Sequence, residues 1–147
     1  MRWGEIDRET ATWTVPAKRM KAGREHRVPL TDRCMAILAQ LEPLRTEPSD
    51  LVFPGAKQGQ PLSDMSLSAV LRRMQLDVTV HGFRSSFRDW CGEATSFPRE
   101  VAEQALAHVV GDATERAYRR GDALERRREL MAAWGQFCLP DFTPIDG

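Results

Sequence analysis

The sequence predicts an α+β fold, with a small antiparallel sheet near the N-terminus followed by a mostly helical body. Two observations carry that expectation. Good β-formers, among them Thr12, Trp13, Thr14 and Val15, gather in the first thirty positions in short runs bounded by turn residues. From Thr31 onward, apolar residues recur at helical spacing, and Gly and Pro separate the runs.

Residues 2–15 read as a strand pair, with Trp3 and Ile6 before the polar turn Asp7-Arg8-Glu9 and a second strand over Thr10 to Val15. Residues 16–24 are polar and basic, Gly23 supplies a turn, and Glu25 to Leu30 returns as a third strand. Met1 stands directly before a strand interior, which predicts an upstream part missing from this sequence. Thr31-Asp32 caps a helix holding Met35, Ile37, Leu38 and Leu41, which ends near Pro43. Residues 43–50 are a loop, Leu51-Val52-Phe53 a brief buried strand or turn, and Pro54 to Pro61 a connector.

Ser63-Asp64 caps a helix with Met65, Leu67, Val70, Leu71 and Met74. Thr79 precedes a helix from His81 to about Ala94, on which Phe83, Phe87 and Trp90 form the core stripe. Phe97-Pro98 opens a helix from Arg99 to Val109, with Val101, Ala105, Leu106 and Val109 on its inner side. A short helix, Ala113 to Arg120, carries Tyr118. After Gly121-Asp122 an amphipathic helix runs from Ala123 to Cys138, with Leu124, Leu130, Met131, Trp134, Phe137 and Cys138 inward, and a tail follows Pro140.

A chain of 147 residues with 41% hydrophobic and 29% charged residues suffices for one domain and argues against disorder. The formal net charge is zero, so no global basic field points to nucleic acid. The charge is uneven, however. Lys18, Arg19, Lys21, Arg24 and Arg27 crowd one stretch, and Arg116, Arg119, Arg120, Arg126, Arg127 and Arg128 crowd another. A phosphate backbone responds to such local patches. Cys34, Cys91 and Cys138 are odd in number and lack CxxC spacing, which predicts reduced thiols and a cytoplasmic location. No apolar run approaches membrane-spanning length, so no membrane partner is expected.

The polar residues of interest begin with His81 and Arg84, three positions apart and hence on one face of a helix. Leu106-Ala107-His108 follows, and Tyr118 is the only tyrosine. Taken singly, each has a dull explanation. His108 between Ala107 and Val109 reads as a satisfied core histidine, and Lys21 as one solvated cation among several. A metal-dependent hydrolase built on His81 and His108 lacks any HExxH-like spacing.

Jointly, Lys21 in a β-hairpin, His81-x-x-Arg84, Leu106-Ala107-His108 and Tyr118 ten positions later resemble the catalytic domain of tyrosine recombinases, the phage integrase family. Arg2-Trp3-Gly4-Glu5-Ile6-Asp7, Trp13-Thr14-Val15-Pro16, His26-Arg27-Val28-Pro29-Leu30 and Arg127-Arg128-Glu129-Leu130-Met131 also look like bacterial prophage integrases. The resemblance covers the chain from Arg2 to about Cys138. It implies the fold of DNA breaking-rejoining enzymes and one partial catalytic domain over 1–147, with sheet edge 1–30, helical body 31–139 and tail 140–147. Arg84, His81, His108 and Tyr118 are expected in a shared cleft.

The resemblance also implies roles and partners. Tyr118 is the nucleophile that forms a 3′-phosphotyrosyl link, and Arg84 one of two phosphate-clamping arginines. His81 assists proton transfer at the tyrosine, His108 hydrogen-bonds a non-bridging oxygen, and Lys21 protonates the departing 5′-oxygen. Lys21 is chosen over Lys18 because it lies eight positions before Pro29, the family's register. Neither cofactor nor metal is expected. The partner is double-stranded DNA at attachment sites, with self-association on it. One departure matters: the family's first clamp arginine precedes the strand that here begins with Arg2-Trp3. Weak activity of this fragment is therefore expected, or a DNA-binding or assembly remnant without turnover.

Overall fold

The computed structural model describes residues 1–47, 49–57, 59–108 and 123–141. The sheet has three antiparallel strands in sequence order: β1 (Ile6–Asp7), β2 (Thr12–Val15) and β3 (His26–Pro29). Ile6 pairs with Trp13, and β2 pairs along its length with β3, from Thr12 opposite Pro29 to Val15 opposite His26. The predicted first strand is shortened to two residues, because Trp3–Glu5 coils into a 3₁₀ turn. The Glu5 carboxylate causes this. Its Oε2 accepts from the Arg2 backbone N–H at 2.9 Å and from the Trp13 indole at 3.2 Å, so the chain curls back on itself. Arg19 pairs with Oε1 at 2.5 Å.

The remaining described elements are helical: α1 (Asp32–Leu41), α2 (Ser66–Arg73), α3 (Gly82–Ala94), α4 (Arg99–Ala105) and α5 (Leu124–Cys138). Thr31 caps α1 as expected, with its hydroxyl oxygen accepting from Cys34 N–H at 3.4 Å. Ser63 and Asp64 do not cap α2; the helix starts after Met65 with no side-chain cap. Thr79 does the capping work before α3, accepting from Gly82 N–H at 3.0 Å. Among the described residues, no helix is long and apolar enough to cross a membrane.

Two hydrophobic clusters divide the packing. Trp3, Leu38 and Val52 are buried together against Ile6, Leu30, Met35 and Leu41, which ties α1 to the N-terminal turn. Phe87, Cys91, Val101, Ala102 and Leu130 form the second cluster, where α3, α4 and α5 meet. The rings of Phe87, Trp90, Trp134 and Phe137 stack and tilt at its edge, with Phe87 edge-on to Trp134 at 5.4 Å.

Three inward assignments change. Phe83 is 54% exposed, and Cys91, one turn beyond Phe87, takes its place in the core. Phe87, Trp90 and Cys91 share a stripe at i, i+3 and i+4, and Phe83 lies on that stripe before the packed turns begin. Phe137 and Cys138 are exposed, although the Phe137 ring still touches Trp90 and Trp134 at 5.5 Å. Arg127, read as part of a basic patch, is only 1% exposed and donates to the Arg27 carbonyl at 2.6 Å, fastening α5 to β3. Arg128 reaches the Ala11 carbonyl and the Thr12 hydroxyl beside it.

Candidate active site

The site is built from the start of α3 and the end of α4. α4 stops at Ala105, short of the predicted Val109, because Ala107 turns left-handed at φ +56°. The Ala107 N–H then bonds the Gln104 carbonyl at 3.0 Å, and the His108 N–H bonds the Glu103 carbonyl at 2.9 Å. These two bonds make a Schellman motif, which closes the helix and folds the next residue back over its last turn. His108 is therefore neither helical nor in the core. It is half-exposed and lies against Glu103.

Arg84 reaches this turn from the first turns of α3. Its Nη2 donates to the Leu106 carbonyl at 2.7 Å and lies 2.8 Å from His108 Nε2. The other ring nitrogen, Nδ1, is 2.6 Å from Glu103 Oε2. Arg88, one turn beyond Arg84, places Nε 2.8 Å from Glu103 Oε1, and Arg99 Nε lies 3.6 Å from the same oxygen. Oε1 makes no aligned hydrogen bond despite this proximity, so the attraction there is between charges. The hydrogen bond from His108 holds the Glu103 carboxyl below the usual carboxylate range. Burial opposes that effect, and the charges of Arg88, His108 and Arg99 add to it.

The structure thus brings together two of the five residues singled out by sequence, Arg84 and His108. His81 precedes α3 and is exposed; its carbonyl accepts from the Arg84 N–H at 3.0 Å, and its ring has no partner among the described residues. Lys21 is exposed in the loop between β2 and β3, also without a partner among the described residues. Tyr118 lies outside the described residues, as does the helix expected around it. Both ring nitrogens of His108 are engaged, by Glu103 and Arg84, which argues against the metal-ligand reading of that histidine.

Glu103 was missed by sequence reading. It sits five positions before His108, which is no helical neighbour spacing, and only the left-handed turn brings the two together. Arg127 was missed too, yet a signal existed. It continues the stripe of Leu130, Met131 and Trp134 backward by three, four and seven positions.

The profile of the phage integrase family matches residues 1–125. The prophage integrase IntA of Escherichia coli K12 is 41% identical over 136 residues, covering 90% of this chain and 32% of its own length. The integrase of enterobacteria phage P4 is 30% identical, covering 92% of this chain and 35% of its own length. That of Shigella phage Sf6 is 28% identical, covering 93% and 36%. No solved structure matches the chain. The chain spans about a third of the length of these relatives. With a family profile covering most of its 147 residues, the chain belongs to the phage integrase family.

Proposed function

We propose that these residues form the catalytic domain of a site-specific DNA recombinase, which breaks and rejoins DNA in prophage integration and excision. The observation that carries this reading is the meeting of Arg84 and His108 at 2.8 Å, with Glu103 behind the ring. A guanidinium fork and an imidazole converging from two elements suit the two non-bridging oxygens of one phosphodiester.

In the proposed reaction the Tyr118 phenol oxygen attacks phosphorus in line, and its proton passes toward His81. A bond forms between the tyrosine oxygen and phosphorus, and the bond from phosphorus to the 5′-oxygen breaks. The leaving 5′-oxygen takes a proton from Lys21. The product is a 3′-phosphotyrosine and a free 5′-hydroxyl, and reversal with another strand's 5′-hydroxyl rejoins the DNA. Positioning and charge stabilisation supply most of the rate in phosphoryl transfer, so the residue types fit the demand. Attachment-site DNA is the partner, with copies of the chain associating on it, and Lys18, Lys21 and Arg24 on the exposed loop add phosphate contacts.

The family resemblance implies a further clamp arginine ahead of the strand that begins with Arg2-Trp3, and the proposed cleavage uses it together with Arg84. The test is a radiolabelled nicked duplex carrying the attachment sequence, incubated with this chain and with a version extended upstream. The reading expects a covalent adduct, abolished by Tyr118→Phe. An adduct that survives Tyr118→Phe sinks it.

A further inference from the structure

Glu103 lies outside the residues to which the recombinase reading gives a chemical role, and its surroundings give it one. Its side chain is 13% exposed, held on one side by the charges of Arg88 and Arg99 and on the other by His108. The two contacts of the His108 ring are decisive when taken together. A guanidinium carries donors only, so Nε2 must present its lone pair to Arg84 Nη2 at 2.8 Å. The ring proton must then sit on Nδ1, where the Glu103 carboxylate accepts it at 2.6 Å. Both partners demand the same tautomer.

We propose that Glu103 is a positioning residue of the recombinase site, fixing His108 as the Nδ1–H tautomer so that Nε2 is the atom facing the scissile phosphate. The proposal rests on the recombinase reading for its substrate. The geometry behind it is independent of activity. Glu103 is anchored on α4, Arg88 steadies it from α3, and the left-handed Ala107 folds the ring onto it.

A phosphodiester oxygen that displaces Arg84 from Nε2 carries no proton of its own. Nε2 can donate to that oxygen only after taking one proton from solvent, which makes the ring an imidazolium. Its positive charge then lies between the phosphate and the Glu103 carboxylate. The other charged groups facing the ring are Arg84 and Arg88 from α3 and Arg99 from α4, all cations, so Glu103 is the compensating anion among the described residues. Glu103 is thereby placed to balance that charge in a field of arginines.

The experiment is long-range ¹H–¹⁵N NMR of the histidine rings in the ¹⁵N-labelled chain at about pH 8, where imidazoles are ordinarily neutral. A His108→Gln spectrum assigns the signal. The expected result is an Nδ1–H ring with an Nε2 lone pair in the parent chain. Glu103→Ala moves the ring toward the Nε2–H form that free imidazole prefers, whereas Glu103→Gln keeps it, because the amide oxygen still accepts. In the upstream-extended protein with the nicked attachment-site duplex, Glu103→Ala lowers the cleavage rate roughly 10–100-fold, and Glu103→Gln recovers part of it. An Nε2–H ring in the parent chain overturns the proposal whatever the variants do, and so does a ring that ignores Glu103→Ala. If Tyr118 never forms an adduct, the recombinase reading falls while the tautomer result stands.

Discussion

The guanidinium of Arg84 and the imidazole of His108 meet at 2.8 Å although 24 positions separate them, and the Leu106 carbonyl takes a second bond from the same nitrogen. One atom of Arg84 therefore reads both a backbone group and a side chain of the turn that ends α4. Lysine has no fork with which to hold this turn and still face a phosphate. Arg84→Lys is thus expected to lower single-turnover adduct formation by roughly 100–1,000-fold, on the scale of losing one oxyanion donor. Because Arg84 is exposed, the thermal midpoint should move little. A lysine variant that keeps more than a tenth of the parent rate would remove Arg84 from the clamp.

The turn beneath that contact depends on Ala107 at φ +56°. A left-handed alanine costs about 1–2 kcal/mol relative to its helical conformation, and glycine carries no such penalty. Ala107→Gly should raise unfolding stability by up to about 1 kcal/mol, the freer unfolded chain offsetting part of the gain. Ala107→Val should lower it by more than about 1 kcal/mol, since a β-branched residue tolerates that backbone region worst. Urea midpoints of the two variants check the signs. Equal midpoints would contradict the left-handed turn.

Much of the fold was legible because its signals are local. The run Thr12 to Val15 declares a strand, Thr31 a cap, and the spacing of Phe87 and Trp90 a packed stripe, though Phe83 at its start is exposed and Cys91 takes its place. The end of α4 was not, because an alanine in a left-handed turn leaves no compositional mark where a glycine would have. The site was half legible for the same reason. Residue types pointed to Arg84 and His108, but the partner that orients the imidazole, Glu103, is set by a backbone turn rather than by spacing. Arg127 misled differently. In a run of three arginines it reads as surface charge, and only its phase on the helical stripe says otherwise.

That burial separates Arg127 from the solvated cations near it in sequence. Arg127→Ala removes the bond to the Arg27 carbonyl and opens a cavity beside Leu130, which should cost about 3 kcal/mol or more. Lys21→Ala removes an exposed charge and should leave stability within about 0.5 kcal/mol. DNA binding should reverse the order. Lys21→Ala flattens the salt dependence of affinity by about one unit of slope, whereas a folded Arg127→Met leaves the slope unchanged. Thermal melts and salt-titrated binding isotherms on both variants decide the point.

The pH dependence of stability follows from two carboxylates held below their ordinary range. For Glu103 the hydrogen bond from His108 is the main cause, with burial opposing and Arg88 and Arg99 assisting. For Glu5, burial pushes upward but is outweighed by bonds from Arg19, the Arg2 N–H and the Trp13 indole. A group whose pKa is depressed on folding binds its proton more readily in the unfolded chain. The stability it contributes is therefore fully present above the ordinary carboxylate range near 4.5 and is lost as pH falls below it. The melting temperature should accordingly hold across the neutral range and fall steeply below about pH 4.5. Glu103→Gln should flatten that fall, because glutamine has no proton to gain, and the double variant with Glu5→Gln should flatten it further. Since Glu5 belongs to the N-terminal 3₁₀ turn and Glu103 to α4, the two effects should add within about 0.5 kcal/mol. An acid limb as steep in the double variant as in the parent would show that neither carboxylate carries a folding-linked shift.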